Sequence, residues 1–318
     1  MTRPVVQPTR HPAPGPWARE LEVATSQATL SGLFAAPADG GPPRALIVAL
    51  HGMQLHAGYF DATTSPGLSL LEMASAAGFC VWAPDRPGTR ASAGLDDEHR
   101  LMRPQADLLL EALDAVAAGH SVGAGVFVVG HSYGAKLAIA MLARAGERSF
   151  LGLDINGCGI GLGHGADDTS GRMQSLVIAG DRGPSWGPAS LYPKGTISRA
   201  RLPIDTYRPL PINETLLWPA DFAEFAPRLC VPIRVTYGDH ERWWPTDEAS
   251  LVAVRQAFVG SPRVTVHMLQ GAGHNLGLGW AAAEHHRAVL EFASECIEAA
   301  APHGPSQSDA AAGDASSV

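Results

Sequence analysis

Apolar residues recur along the chain in two patterns, short continuous runs and longer repeats with helical spacing. Runs of strand length occupy residues 44–52, 79–85, 125–132, 149–159, 231–239 and 263–274. Helical repeats alternate with them at residues 67–78, 99–119, 133–146, 246–260 and 280–300. A continuous apolar run is typical of a strand buried on both faces, and strands that alternate with helices pair in parallel. The pattern therefore predicts an α/β fold, in which a mainly parallel sheet carries helices on both faces.

Two internal segments depart from this alternation. Residues 20–37 are typical of two antiparallel strands joined by a polar turn. Residues 160–220 are rich in glycine and proline and show little regular spacing, and such a length is unusual for a passive loop inside a compact domain. We therefore expect an inserted cap or lid over residues 160–220, with the α/β core formed by residues 17–159 and 221–300.

The two ends of the chain are expected to be disordered tails. Residues 1–16 are rich in proline, and residues 301–318 are mostly small and polar, without periodicity. The N-terminus lacks the apolar segment of a secretory signal, and no apolar run is long enough to span a bilayer. These features predict a cytoplasmic protein without a membrane span, or one exported by a route that the sequence does not show.

Composition narrows the classes of partner. The 318 residues include 23 Lys and Arg against 31 Asp and Glu, a formal net charge of −8. Nucleic acids and anionic membrane surfaces favour clustered basic residues, so neither is the expected partner. The cysteines are far apart and form no C-x-x-C pair, so we expect free thiols, with no metal and no redox cofactor. They are Cys80, Cys158, Cys230 and Cys296. The sequence leaves open whether chains associate.

The pattern G-x-S-x-G occurs twice, around Ser132 and around Ser185. A nucleophilic serine of this kind stands on a tight strand-to-helix turn, which small residues two positions before and after it make possible. An apolar strand leads into Ser132, a strong helix-forming segment follows it, and Gly130 and Gly134 occupy the two small positions. Ser185 directly follows Pro184 and lacks this context, so it is assigned to lid or loop structure. Ser132 is therefore the candidate nucleophile.

A serine hydroxyl becomes a good nucleophile only when a base takes its proton. Among 13 histidines, His274 follows the last predicted strand in the glycine-rich loop "GAGH", from which an imidazole can reach over the sheet edge. The histidine in turn needs a carboxylate, and the loop after the preceding strand offers Asp239 and Glu241. Asp154 is a third option, although its flanks suggest a polar group at the end of a strand.

Backbone N–H groups complete the predicted site. His51 and Gly52 stand just past the first buried strand, so a backbone N–H there can turn towards the serine. The helix after Ser132 presents its first N–H groups to the same place. We expect the N–H groups of Met53 and Tyr133 to form an oxyanion hole.

With these motifs in order, residues 20–300 resemble the α/β-hydrolase fold superfamily, in its serine esterase and thioesterase-like branch. The matching motifs are "LHG", "APDRPGTRAS", "VVGHSYGAKLA", "YGDHERWWP" and "GAGH". The resemblance implies a sheet of the eight-stranded type. It also favours Glu241 over Asp239, because the family's acid loop usually reads G-x-x-[DE] with a proline four residues later. It further implies that Asp85 and Arg86 order the loops beside the site.

These residues predict a serine hydrolase that cleaves a small-molecule ester, thioester or lactone through an acyl-enzyme on Ser132. A serine at this turn disfavours epoxide hydrolases and dehalogenases, which in this fold carry an aspartate nucleophile. Two alternatives stay open. One is acyl transfer, cyclisation or a lyase reaction on the same scaffold in secondary metabolism, and the other is a binding protein without catalysis. Four tryptophans are candidates for an apolar wall of the substrate pocket, namely Trp186, Trp218, Trp243 and Trp244.

Overall fold

A computed structural model of the chain describes residues 14–161, 183–197 and 213–301. The two predicted tails lie almost wholly outside these residues, and so does much of the predicted cap. The expectations of disordered tails and of a cap therefore stay predictions. The α/β core is described throughout its length.

An eight-stranded sheet forms the centre of the described structure. Its strands in spatial order are β1 (Ala18–Glu20), β4 (Gly32–Ala35), β6 (Cys80–Pro84), β5 (Leu46–Leu50), β7 (Val126–His131), β8 (Gly152–Asn156), β9 (Ile233–Gly238) and β10 (Val264–Leu269). The strands from β6 to β10 pair in parallel, whereas β1 and β4 pair antiparallel at one edge. The predicted mainly parallel sheet is thus confirmed.

The antiparallel segment near the N-terminus is divided between two sheets. β2 (Val23–Ala24) and β3 (Thr29–Leu30) pair with each other in a small separate sheet. β4 instead joins the main sheet beside β6, and a Cβ on its first residue, Gly32, would lie 2.4 Å from the carbonyl oxygen of Ala83. The predicted antiparallel pairing over residues 20–37 is therefore correct, but the prediction that this segment forms only one pair of strands is wrong. Gly32 allows β4 to pack closely against β6, so β4 pairs with β6 instead.

Helices cover both faces of the sheet. They are α1 (Leu70–Ala76), α2 (Met102–Gly119), α3 (Tyr133–Ala143), α4 (Gly183–Trp186), α5 (Asn213–Phe225), α6 (Glu248–Ala257) and α7 (Ala282–Ala300). Alternate residues of β5 belong to different apolar cores, Leu46 and Val48 to one and Ile47 and Ala49 to the other. The first core packs α2, α3, α5 and α6, and the second packs α1 and α7. None of the helices in the described ranges is long and apolar enough to cross a membrane.

Helix α5 crosses residue 220, where the predicted cap ends. Its side chains Trp218 and Phe222 are each 1% exposed and belong to the same core as α3. Phe222 also packs edge-on against Phe258, with ring centroids 5.4 Å apart. At this end, the segment assigned to a cap is therefore continuous with the core.

The parallel strands place four loops at one edge of the sheet. The carboxyl ends of β5, β7, β9 and β10 point the same way because these strands run in parallel. The loops that follow them carry His51, Ser132, Glu241 and His274 in turn. Ligand sites of open α/β sheets lie at this edge.

Several histidines are buried in this fold in their neutral form. Burial lowers the pKa of His131 to about 3 and that of His286 to about 4. Burial also lowers the pKa of His51 and of His285, well below the ordinary value of 6.5. All four side chains are at most 3% exposed, so the folded chain resists their protonation.

We predict that stability falls as the pH falls below about 6.5. The unfolded chain binds protons at these histidines near pH 6.5, whereas the folded chain does so only at lower pH, so acid favours unfolding. Each histidine lowers stability by up to about 1.4 kcal/mol per pH unit in that interval. Thermal unfolding followed by circular dichroism should show Tm falling steadily between about pH 6.5 and 4.5. The slope should be shallower for His286→Gln, and a flat Tm over this range would contradict the prediction.

Candidate active site

Ser132 stands at the turn between β7 and α3. Its φ of 54° and ψ of −117° lie in a region that residues other than glycine rarely adopt. Its N–H donates to the carbonyl oxygen of Asn156 at 2.9 Å, and α3 begins at the next residue. Such a backbone conformation persists only where the surrounding structure enforces it, and it is typical of functional sites.

The glycines two residues before and after Ser132 are required by close packing. A Cβ on Gly130 would lie 2.6 Å from Ala135 Cα, and one on Gly134 would lie 2.0 Å from the carbonyl oxygen of Leu50. Larger residues would therefore push α3 away from β5 and β7. The G-x-S-x-G pattern at this turn reflects a contact of backbone with backbone.

His274 connects Ser132 to an acid. Its Nε2 lies 3.0 Å from Ser132 Oγ, and its Nδ1 lies 2.8 Å from Glu241 Oε2. A neutral imidazole with its proton on Nδ1 satisfies both contacts, because Nδ1–H donates to the carboxylate and Nε2 accepts from the hydroxyl. The structure therefore brings His274 into contact with Ser132, which lies 142 positions away in the sequence, and with Glu241, which lies 33 positions away.

The carboxylate of Glu241 is removed from water and fully engaged. Its side chain is 0% exposed. Oε1 accepts from the N–H groups of Arg242 at 2.9 Å and Trp243 at 2.8 Å, while Oε2 faces His274. These N–H donors compensate for the lost hydration of the charge.

Asp239 and Asp154, the other acids considered, bind other partners. Asp239 Oδ1 accepts from the N–H of Ala272 at 2.9 Å. Burial opposes its ionisation, but the N–H groups of Ala272 and Gly271, together with the nearby His240, hold the pKa of Asp239 below its usual value. Asp154 is buried against Arg234, with 2.5 Å between Oδ2 and Nε. Asp239 thus connects the loop after β9 to the loop before His274.

The segments that carry the two predicted oxyanion donors, Met53 and Tyr133, both adjoin Ser132. A Cβ on Gly52 would lie 3.1 Å from Ser132 Cβ, so the loop that carries Met53 passes beside the serine. Met53 is half-buried, and the following residue, Gln54, has a φ of 62°. Tyr133 is the first residue of α3, where backbone N–H groups point away from the helix.

Asp85 and Arg86 hold the neighbouring loops together. Asp85 Oδ1 accepts from the N–H of Ala57 at 2.9 Å, and Oδ2 accepts from the hydroxyl of Ser31 at 2.6 Å. The N–H of Arg86 donates to Nε2 of His51 at 3.1 Å, and its guanidinium lies 4.6 Å from the ring centre of Tyr133. The loop after β6 therefore supports both segments that flank Ser132.

Two polar neighbours of Ser132 and His274 were not predicted. His131 precedes Ser132, and Asn275 follows His274. His131 Nε2 lies 3.2 Å from Asn275 Oδ1, and His131 Nδ1 lies 2.7 Å from Asn156 Oδ1. The His131 ring also stacks on Tyr59, with centroids 4.4 Å apart. Polar residues directly beside a predicted nucleophile and base are the signal that could have indicated them.

Ser185 lies in the single helical turn α4, within the segment that the sequence assigns to a lid. Pro184 is tolerated there because the first turn of a helix needs no N–H at that position. The side-chain oxygen of Ser185 accepts from Nε1 of Trp243 at 3.0 Å. Trp243 itself is half-buried, with its ring centre 6.4 Å from that of His274.

The other three predicted pocket tryptophans are buried. Trp218 donates from Nε1 to the carbonyl oxygen of Gly159 at 2.7 Å within the first core. Trp244 is 6% exposed, and Lys136 Nζ lies 5.3 Å from its ring centre and 5.0 Å from that of Trp218. Trp186 is 6% exposed and belongs to the second core. The structure brings Trp243 to His274, whereas it packs Trp218 into the interior.

Comparisons with known proteins agree with this architecture. A family model described as the alpha/beta hydrolase family matches residues 47–292. A search of curated proteins finds no match. Among solved structures, a thermostable carboxyl esterase from Bacillus coagulans is 18% identical, with a TM-score of 0.62 over 88% of this chain and 99% of that one.

Two further solved structures are similar over most of their length. A variant of the N-acyl homoserine lactonase AidH, complexed with N-hexanoyl homoserine, is 21% identical, with a TM-score of 0.63 over 90% of this chain and 99% of that one. A soluble variant of a monoglyceride lipase from Saccharomyces cerevisiae is 14% identical, with a TM-score of 0.62 over 93% and 99% of the two chains. At these identities, the likeness shows a shared fold.

We predict that Gly134→Ala strongly destabilises the protein. The added methyl group would meet the carbonyl oxygen of Leu50 at 2.0 Å, and backbone cannot move aside cheaply. Guanidinium unfolding should show a loss of about 3 kcal/mol or more, or insoluble protein. Gly119→Ala is the matched control, because a Cβ at that position in α2 meets nothing within 4 Å. Equal stability of the two variants would contradict the packing argument.

Proposed function

The chain belongs to the alpha/beta hydrolase family, and on that premise we propose that it is a serine hydrolase of carboxylic esters, thioesters or lactones. The observation that carries the proposal is the continuous contact from Ser132 Oγ through His274 to the buried carboxylate of Glu241, at 3.0 and 2.8 Å. The same three roles recur in acyl-transfer enzymes of unrelated fold. Their chemistry follows from the positions of the protons.

In the first half-reaction, Ser132 is the nucleophile. Its Oγ attacks the carbonyl carbon of the substrate while Nε2 of His274 takes the hydroxyl proton. The tetrahedral intermediate then collapses, and the alcohol or thiol leaves with the proton from Nε2. An acyl ester on Ser132 remains.

In the second half-reaction, water replaces the serine oxygen. His274 takes a proton from the water as it attacks the acyl carbon, and returns that proton to Ser132 Oγ as the carboxylic acid departs. Because Nε2 must be unprotonated to accept a proton, turnover should decline in acid. Glu241 holds Nδ1–H and stabilises the imidazolium that forms in both steps.

The negative charge on the substrate oxygen needs donors that are already in position. We assign this role to the N–H groups of Met53 and Tyr133. The close approach of Gly52 to Ser132 and the start of α3 at Tyr133 support the assignment. Removing one such donor typically lowers kcat by about 10²- to 10³-fold.

Trp243 is the predicted pocket residue that the site geometry supports most directly. It is half-buried, and its ring lies 6.4 Å from that of His274. An aromatic wall there would suit an apolar acyl or alcohol group. A carboxyl esterase, a lactonase and a monoglyceride lipase share the fold, so esters and lactones are the substrates to test first.

The nucleophile is tested by covalent labelling and by removal of the hydroxyl. A fluorophosphonate probe should modify the protein once, at Ser132, as located by peptide mass spectrometry. Ser132→Ala should lower kcat for p-nitrophenyl esters by at least about 10³-fold, because the serine and the base act as a unit. Full turnover by a folded Ser132→Ala protein would refute the proposal.

The acid is tested by comparing two isosteric substitutions. Glu241→Gln should lower kcat by about 10³- to 10⁴-fold, because a neutral amide cannot stabilise the imidazolium of His274. Asp239→Asn should have a much smaller effect, because an amide oxygen can still accept from the N–H of Ala272. Steady-state kinetics with p-nitrophenyl acetate measure both, and the reverse ranking would transfer the role to Asp239.

A further inference from the structure

The second G-x-S-x-G segment contacts the loop that carries the acid. This acid loop comprises residues 239–243. The indole N–H of Trp243 donates to Ser185 Oγ at 3.0 Å, and the backbone N–H of Trp243 donates to Glu241 Oε1 at 2.8 Å. One residue thus binds Ser185 with its side chain and the carboxylate with its backbone. The position of the carboxylate therefore depends on where the indole is held.

The same serine contacts the loop that carries the base. This base loop comprises residues 271–275. The carbonyl oxygen of Ser185 accepts from the backbone N–H of Asn275 at 3.3 Å and from its Nδ2 at 3.2 Å. On the other side, Asn275 Oδ1 lies 3.2 Å from Nε2 of His131. Asn275 therefore holds the base loop between Ser185 and the residue before the nucleophile.

These contacts form a closed ring around the acid and base. Hydrogen bonds connect Ser185 to Trp243, Trp243 to Glu241 and Glu241 to His274. Asn275 is the next residue in the chain after His274, and it closes the ring by donating a hydrogen bond to the carbonyl oxygen of Ser185. We infer that Ser185 is a positioning residue that couples the acid loop to the base loop. The inference rests on the proposed function, because it gives Ser185 a role in placing that function's acid and base.

Close packing holds Ser185 in this place. A Cβ on Gly273 would lie 2.4 Å from the carbonyl oxygen of Trp186 and 2.5 Å from Tyr192 Oη. A Cβ on Gly187 would lie 3.2 Å from His240 Cβ. The residues around Ser185 therefore fit against both loops with little free space, and the base loop accommodates them because it has glycine before His274.

The role of Ser185 differs from that of Ser132 because their oxygens face different partners. Ser185 Oγ accepts from an indole N–H, whereas Ser132 Oγ lies at 3.0 Å from an imidazole nitrogen that can take its proton. An indole N–H cannot act as a base. Ser185 consequently acts through the geometry of Glu241 and His274, where a misplacement of about 1 Å can lower the rate by about 10²-fold.

The test compares substitutions that remove or keep the hydroxyl. Ser185→Ala deletes the acceptor for Trp243 but keeps the backbone carbonyl that binds Asn275. We expect kcat for p-nitrophenyl acetate to fall about 5- to 20-fold, with KM within about twofold of wild type. Fluorophosphonate labelling of Ser132 should slow by a similar factor. Ser185→Thr should restore both rates, and Ser190→Ala, an exposed serine of the same segment, should leave them unchanged.

A double-mutant comparison separates positioning from general destabilisation. In a Glu241→Gln background, the charged acid is already lost, so adding Ser185→Ala should change kcat by less than about twofold. If Ser185→Ala still lowers kcat about 5- to 20-fold in that background, the inference is overturned. It is also overturned if Ser185→Ala alone has the wild-type kcat, or if Ser185→Thr has a kcat as low as that of Ser185→Ala. Trp243→Phe removes the same hydrogen bond from the donor side and should lower kcat likewise if Ser185→Ala does not fold.

Failure of the inference is distinguishable from failure of the proposed function. A wild-type protein that hydrolyses the ester and reacts with the probe, alongside an unaffected Ser185→Ala variant, overturns only the role of Ser185. A folded wild-type protein that reacts with neither p-nitrophenyl acetate nor the probe overturns both proposals.

Discussion

The site depends on the approach of backbone to backbone at the turn that carries Ser132. The carbonyl oxygen of Leu50 occupies the space that a side chain on Gly134 would need, and Gly52 passes directly beside Ser132. Because no side chain intervenes, the turn cannot relax towards an ordinary φ without separating α3 from β5. The backbone conformation of Ser132, the course of the Met53 loop and the start of α3 thus depend on these two close contacts.

Around this turn, the distribution of charge follows from burial. Glu241 keeps its carboxylate in the interior because N–H groups from its own loop and from His274 surround it. Burial, in contrast, lowers the pKa of His131, whose ring centre lies 5.0 Å from that of His274. A neutral His131 adds no repulsion when the neighbouring imidazole takes up a proton. The buried ring of His131 therefore stays neutral beside His274.

The strands, the turn at Ser132 and the loops that carry Glu241 and His274 could be predicted because each corresponds to a local pattern in the sequence. An apolar run, a glycine spacing or a polar residue directly after a strand is enough. Polar residues directly beside Ser132 and His274 could have indicated His131 and Asn275, but the partners of Ser185, Asn275 and His131 could not be predicted, since these contacts join positions 58 to 144 residues apart. The division of the N-terminal strands was missed for the same reason, because it depends on a contact between distant segments.

The closed ring also fits the length of the proposed acid, which is a glutamate where the family more often has an aspartate. Glu241 uses one oxygen for the backbone of its own loop and extends the other to His274. A shorter side chain could reach the imidazole only if the loop moved towards it. Trp243 opposes that movement, because its indole is held by Ser185. The length of the acid and the anchoring of its loop are therefore matched to each other, and a change in either alters the distance to the base.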